Sequence, residues 1–321
     1  MADNSSIPVI VIFAPTASGK TALTRELFSQ GGSHFILNGE VVSADSMQVY
    51  KKLNIGTAKP EPEFCSLIPH HLIDLVEPET QFTVADFIEK ADEACSEIYS
   101  RGKIPVVCGG TGFYIRNFLY GLPSTPESDE KIRQQLVNRI QNEGNEKLYQ
   151  ELKTIDPESA EIIHVNDAYR ICRALEVYYT TGKKRSEYKL ENKLRDKYDF
   201  LFIVLEPPRE ILFERIRKRV DIMFDQGLEK EVKDLISAGY TKEMPGLKAI
   251  GYSEFFLYED IETVKEKIKH NSCKYAKKQY TYINDIPGSI RIPFQAENED
   301  FSTISKIIRN KFMSIDSKTY F

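Results

Sequence analysis

A short apolar run that ends in a glycine-containing turn sets the strongest limit on what this chain can become. Residues 7–13 read Ile-Pro-Val-Ile-Val-Ile-Phe and lead into Ala14, Pro15, Thr16, Ala17, Ser18, Gly19, Lys20 and Thr21. An unbroken apolar run of this length suits a strand buried on both faces of a parallel sheet. The eight residues after it have the spacing of a phosphate-binding loop, with Ala14 in place of the usual first glycine. In such a loop successive backbone N–H groups point at phosphate oxygens, and the next helix directs its positive end to the same place. Lys20 is placed to reach a terminal phosphate, and the Thr21 hydroxyl to reach Mg²⁺. The chain is therefore expected to bind a diphosphate or polyphosphate on residues 14–21, with Mg²⁺ as cofactor.

Further buried strands are expected at residues 35–44, 104–108 and 200–205. Helical patterns lie between them, over residues 21–30, closed by Gly31-Gly32, and over residues 84–99. Strand–helix alternation behind a first-strand phosphate loop predicts an α/β fold: a P-loop NTPase-like, doubly wound parallel sheet. Ligands of such sheets bind beyond the carboxyl ends of the strands, where Asp45 and Gly109-Gly110 fall. Between about Pro123 and Lys197 the strand pattern stops. Ile132, Leu136 and Ile140 recur behind the capping pair Ser128-Asp129 as one amphipathic helix. Asp156-Pro157 opens another. Asn166 or Asp167 caps a third, running through Arg170, Arg173 and Val177 to Gly182. The expected organisation is a core of residues 1–122 and 198–321, with a helical, basic C-terminal part, interrupted by an all-helical insertion at 123–197.

Composition narrows the class. Hydrophobic content of 41% and charged content of 28% are ordinary for a folded, soluble chain. A net charge of −5 opposes wholesale electrostatic binding to nucleic acid but leaves room for a local basic face. The five cysteines are scattered with no C-x-x-C pair. That argues against zinc and for reduced thiols in a cytoplasmic protein. The N-terminal apolar run is too short, and lacks the basic flank, for a signal peptide or membrane span.

Several constellations could carry chemistry. In Ser43-Ala44-Asp45-Ser46-Met47-Gln48, Asp45 could hold Mg²⁺ through water, act as a general base, or join Ser46 in capping a helix. Gly109-Gly110-Thr111 permits close backbone approach and offers a hydroxyl, or is simply a tight turn. Arg215 and Arg219 share a helical face, so one of them could reach a transferring group. Residues 183–197 carry seven Lys/Arg against three Asp/Glu, and residues 265–278 six Lys against one Glu, with Tyr275 and Tyr280 nearby. Basic groups interleaved with tyrosines suit an RNA backbone and unstacked bases, or a solvated surface. His70-His71 would point to opposite faces of a strand and read as structural rather than as a chelating pair.

Taken together, the motifs resemble the bacterial type of the tRNA dimethylallyltransferase (tRNA isopentenyltransferase) family. The matching residues are 15–21, 42–50, 54–60 (Asn-Ile-Gly-Thr-Ala-Lys-Pro), 69–74, 109–111, Asn166-Asp167 with residues 170–176, and Gly251-Tyr252. The resemblance implies transfer of a dimethylallyl group from dimethylallyl diphosphate to the exocyclic amino nitrogen of the adenosine 3′ of the anticodon in tRNA. It implies Asp45 as base, Thr111 and Arg219 as catalytic partners, and a diphosphate leaving group on residues 14–21. It also implies tRNA contacts at Asp45, Ser46, Met47, Gln48, Thr111, Arg133, Tyr169, Arg170, Ile171, Cys172, Arg173, Lys248, Gly251, Tyr252, Lys277, Lys278 and Gln279. The helical insertion would contact the anticodon stem-loop, and a monomer is expected. The chain departs from the pattern at Ala14, Val165, Ser253, the tyrosines of residues 280–282 and Asn284. If position 14 needs positive φ, alanine there costs about 1–2 kcal/mol. Two other readings share the loop: an isopentenyltransferase acting on free adenine nucleotides, and a small-molecule kinase binding ATP.

Overall fold

A computed structural model describes residues 6–36, 38–188, 193–282, 284 and 286–312. In chain order the elements are β1 (Ile7–Phe13), α1 (Lys20–Phe28), β2 (Gly39–Ser43), α2 (Pro62–Leu67), β3 (His70–His71), α3 (Val84–Ser100), β4 (Ile104–Gly109), α4 (Gly112–Tyr120), α5 (Glu130–Glu143), α6 (Asn145–Ile155), α7 (Pro157–Ile162), α8 (Ala168–Thr181), β5 (Tyr198–Glu206), α9 (Arg209–Asp225), α10 (Leu228–Ser237), α11 (Ile261–Thr281), β6 (Ile290–Pro293) and α12 (Asn298–Phe312).

The six strands form one sheet in the order β3-β2-β4-β1-β5-β6. Every pairing is parallel. β1 is central, which explains its unbroken apolar sequence: Val9 to Phe13 are completely buried. From β1 the chain moves outward to β2 and β3, returns to insert β4 beside β1, and resumes on the other side with β5 and β6. The register pairs Phe13 with Gly109 and Ser43 with Cys108, so the carboxyl ends of β1, β2 and β4 lie level. Ala14 N–H donates to the Gly109 carbonyl (3.2 Å), and Thr111 N–H to the Ala44 carbonyl (3.1 Å). The three loops expected to carry chemistry therefore leave the sheet at one edge.

The phosphate loop keeps its shape without a glycine at position 14. The left-handed positions are Ala17 (φ 59°) and Gly19 (φ 96°), not Ala14. The expected cost at position 14 does not arise. A Cβ on Gly19 would stand 3.0 Å from the Phe294 ring, so packing as well as φ demands glycine there.

The strand expected at 35–44 shortens to β2; Ile36 is buried ahead of the ladder rather than in it. β3 and β6 carry too few residues to show a period. His71 Nε2 sits 2.7 Å from the buried Glu40 carboxylate, and His70 Nδ1 2.7 Å from the Ile68 carbonyl, consistent with a structural role for the pair. β6 leads into Phe294 and α12, whose Phe301, Ile304 and Ile308 complete the core over Leu23 and Leu27 of α1.

By contact density the chain divides into two units: through Leu119 together with Arg195 onward, and Tyr120 to Leu194. The smaller unit thus spans 120–194, where the sequence pattern places the insertion at 123–197. Arg195 N–H donates to the Leu119 carbonyl (2.9 Å), and its guanidinium grips Asp92 of α3. The smaller unit is built from α5 to α8 around Leu136, Leu148, Leu152, Ile171 and Leu175. Its caps follow the sequence: Asp129 accepts from the N–H of Lys131 and Ile132, Asp156 from Ser159, and Asp167 from Arg170. Gly182 ends α8 in the left-handed conformation. α6 was not expected; it follows Gly144, which supplies no capping side chain. Residues 189–192 of the first basic run lie outside the described residues.

Candidate active site

The three carboxyl-end loops border one cavity of about 520 Å³. Its lining joins residues 16–21 of the phosphate loop, residues 45–48 after β2, residues 56–58 and Gly110. Two helices and residues 248–250 supply the remaining wall. Ile216, Arg219, Val220 and Met223 of α9 line it, as do Ile268, Ser272, Tyr275 and Gln279 of α11. The spacings i, i+3, i+4, i+7 in α9 and i, i+4, i+7, i+11 in α11 each mark one helical face. α9 and α11 are held against the loop by a cluster of Leu212, Ile216 and Ala276, with Ala17, Phe213 and Cys273 packed on it.

Arg219 Nη1 donates to Thr16 Oγ1 (3.0 Å), which brings the guanidinium onto the phosphate loop. Arg215 does not line the cavity; its Nη2 donates to the Gln295 carbonyl (2.7 Å). The geometry thus separates two arginines that the sequence leaves equivalent. Lys20 Nζ donates to the carbonyls of Ala14 (2.8 Å) and Pro15 (2.7 Å). Ser18 Oγ closes the turn onto the Pro15 carbonyl (2.7 Å). Burial pushes the Lys20 ammonium down to about 8, with Arg219 adding to the effect and Asp45 opposing it. Burial likewise lowers Arg219 from its ordinary value, again opposed by Asp45. Two cations that both resist burial, beside one carboxylate, make a site short of negative charge.

Asp45 Oδ1 accepts from the N–H of Met47 (2.9 Å) and Gln48 (3.3 Å), so the carboxylate also fastens its own turn. Thr111 Oγ1 accepts from Ser46 N–H (3.0 Å) and lies 3.3 Å from Ser46 Oγ. The Gln48 amide donates to the carbonyls of Thr57 (3.3 Å) and Ala58 (3.2 Å), while its oxygen accepts from Ser43 Oγ (3.0 Å). Gln279 links two loops: its amide donates to the Gly110 carbonyl (2.7 Å) and its oxygen accepts from Thr16 N–H (3.3 Å). Tyr275, which the sequence shows only beside a basic run, lines the cavity one helical turn from Gln279. Burial and Asp45 push its phenol up to about 12.

Not every expected contact residue presents a surface. Ile171 and Tyr252 are fully buried, and Cys172 nearly so. Ile171 and Cys172 belong to the hydrophobic core of the smaller unit. Arg173 also turns inward, its guanidinium on the Pro126 carbonyl (2.6 Å) and the buried Glu176 carboxylate (3.1 Å), so that segment stays a candidate for RNA binding through the exposed Tyr169 and Arg170. In that unit Arg133 lies over the Tyr169 ring (5.9 Å) and 3.5 Å from the buried Glu176 carboxylate. Lys248 lines the cavity. Gly251 (φ 99°) packs on Gly56. Lys277 and Lys278 are exposed on α11, Lys277 over the Phe213 ring. The residues that sequence reasoning missed are the apolar ones of α9 and α11. Their periodicity is visible in the sequence, but the face that meets the loop is a tertiary fact.

No group of three or more His, Cys, Asp or Glu side chains among the described residues could hold a metal ion by itself. The oxygens that could share one with a diphosphate are the Thr21 hydroxyl and the Asp45 carboxylate, both on the cavity. No helix among the described residues is long and apolar enough to cross a membrane.

Comparisons with known proteins agree with this arrangement. A family model described as IPP transferase matches residues 48–285. The chain is 43% identical to tRNA dimethylallyltransferase 2 of Geotalea uraniireducens, covering 93% of this chain and 95% of the relative. It is 40% identical to the tRNA dimethylallyltransferase of Geobacter sulfurreducens, covering 94% and 96%. Among solved structures, a full-length tRNA isopentenylpyrophosphate transferase from Bacillus halodurans aligns with a TM-score of 0.68 at 33% identity, over 96% of this chain and 98% of that one. A eukaryotic dimethylallyltransferase, captured acting on tRNA, aligns with a TM-score of 0.79 at 31% identity, over 98% and 82%. With the sheet, the phosphate loop and the ordered motifs all in place, the chain belongs to the IPP transferase family.

Proposed function

We propose that this chain transfers a dimethylallyl group from dimethylallyl diphosphate to the exocyclic amino nitrogen of the adenosine 3′ of the anticodon in tRNA, releasing diphosphate. The observation that carries this reading is the make-up of the cavity at the carboxyl ends of the strands. It joins a cationic phosphate loop, a carboxylate and an apolar wall from α9 and α11. A diphosphate ester with a short branched hydrocarbon needs the first and third, and an acceptor amine needs the second.

The chemistry follows from charge. Breaking the allylic C–O bond leaves negative charge on the diphosphate. Lys20, Arg219 and the backbone N–H groups of residues 17–21 are placed to take it up. Adenine's amino group is a weak nucleophile because its lone pair is delocalised into the ring. Asp45 removes its proton as the new C–N bond forms. Thr111, tied to Ser46, holds the Asp45 turn. The Thr21 hydroxyl would hold Mg²⁺, which when bound would supply charge neutralisation to the leaving group. The target base must leave its stack to enter a cavity of this size. In the smaller unit Arg133, Tyr169 and Arg170 are offered to the RNA; in the larger, Lys248, Lys277 and Lys278.

The test is incubation with dimethylallyl diphosphate, Mg²⁺ and an unmodified anticodon stem-loop, followed by nucleoside mass spectrometry. Dimethylallyladenosine at the position 3′ of the anticodon is expected. Preferential modification of adenosine monophosphate, or ATP turnover without prenyl transfer, would overturn the reading.

A further inference from the structure

Residues 54–58 form a wall of the cavity through Gly56, Thr57 and Ala58, yet what fixes that wall lies outside it. Three consecutive N–H groups of the loop point the same way. Asn54 N–H donates to both carboxylate oxygens of Glu231 on α10 (3.3 and 3.2 Å), and Ile55 N–H does the same (3.1 and 3.1 Å). Gly56 N–H donates to the Tyr252 hydroxyl (3.1 Å), which in turn donates to Glu231 Oε1 (2.6 Å). Successive N–H groups arranged in this way make a cradle for an anion. Here the anion is the protein's own carboxylate, so the cradle serves as a fastening.

The fit is close. Tyr252 is fully buried, and a Cβ on Gly56 would come within 2.4 Å of its ring. The far side of the loop is turned toward the site. Ala58 takes a left-handed φ of 48°, and the Thr57 and Ala58 carbonyls both accept from the Gln48 amide. That leaves the Gln48 amide oriented from two sides, by these carbonyls and by Ser43. Neither Glu231 nor Tyr252 lines the cavity.

We propose that Glu231 and Tyr252 are positioning residues for acceptor recognition: they lock residues 54–58, and through the Thr57 and Ala58 carbonyls the Gln48 amide, into the wall on which the acceptor base is read. This rests on the transfer reaction proposed above. Charge-assisted hydrogen bonds to backbone N–H groups are the strong class, so their loss is felt locally.

The test uses the full chain with Glu231→Gln, Tyr252→Phe and the double variant. Hydrogen exchange of the peptide spanning residues 54–58 is measured beside steady-state kinetics with dimethylallyl diphosphate and the stem-loop. Each single variant is expected to speed exchange at 54–58 and to raise the stem-loop KM, both by about tenfold. The donor KM should stay within about twofold, because the phosphate loop is untouched. The double variant should be little worse than the worse single one, since both residues hold the same loop. Unchanged exchange at 54–58, or faster exchange with an unchanged stem-loop KM, or equal rises in both KM values, would overturn the proposal. Tyr252→Phe preserves shape and supplies the same readouts should Glu231→Gln fold poorly. A wild-type chain that leaves the stem-loop unmodified would sink the transfer reading instead, and the exchange result would still decide whether the clamp exists.

Discussion

At the scale of single residues, Asp45 has two tasks: it accepts the Met47 and Gln48 N–H groups, and its charge opposes the effect of burial on Lys20 and Arg219. Asp45→Asn keeps an oxygen for the turn and removes the proton acceptor. Single-turnover transfer should fall by about 10²–10⁴-fold, with the melting temperature nearly unchanged. Transfer near the wild-type rate would remove Asp45 as base. Lys20 makes a pH prediction. Burial lowers its pKa to about 8, so the ligand-free protein releases that proton as pH rises through this value. Bound diphosphate favours the protonated form. Donor affinity should therefore weaken as pH climbs from about 7 to about 9, and Lys20→Met should flatten the curve. The ligand-free fold gains stability over the interval above 8, because the unfolded chain holds the proton up to its ordinary 10.5. Titration calorimetry across that range reads the first effect directly.

Among the elements, the turn from β1 into α1 is the most constrained. Gly19→Ala must force a left-handed φ of 96° on a residue with a Cβ, 3.0 Å from Phe294. The strain alone is about 1–2 kcal/mol, which calorimetry should register as a melting temperature lower by a few degrees, together with weakened donor binding. An unchanged melting temperature and affinity would show that the loop relaxes around the methyl group. This turn was legible in the sequence because its restrictions are local: an apolar strand, a glycine and a lysine at fixed spacing. The caps Asp129, Asp156 and Asp167 were legible for the same reason. β3 and β6 were not, since strands of two and four residues carry no usable period. Nor was the choice of Arg219 over Arg215. It depends on which side of α9 meets α11 and the loop, and both residues lie on one side of the helix in sequence terms. Tyr252 matched the family pattern, but its burial beneath Gly56 could be known only from the fold.

For the whole molecule, a net charge of −5 means that any grip on RNA comes from local groups such as Arg170, Lys248, Lys277 and Lys278 rather than from an overall field. Stem-loop affinity should still fall at least about tenfold between 50 and 200 mM salt, as counterions released by a few phosphate contacts are recaptured. An affinity indifferent to salt in a filter-binding titration would contradict those contacts. The core of the account is that one cavity steadies a departing diphosphate on residues 14–21 while Asp45 accepts a proton from the incoming amine. The most direct measurement is a crystal structure with an unreactive analogue of dimethylallyl diphosphate. It should place the two phosphates on the N–H groups of residues 17–21 beside Lys20 and Arg219, with the hydrocarbon toward Ile216, Val220 and Met223. Phosphates seated away from Gly19 and Lys20 would contradict it.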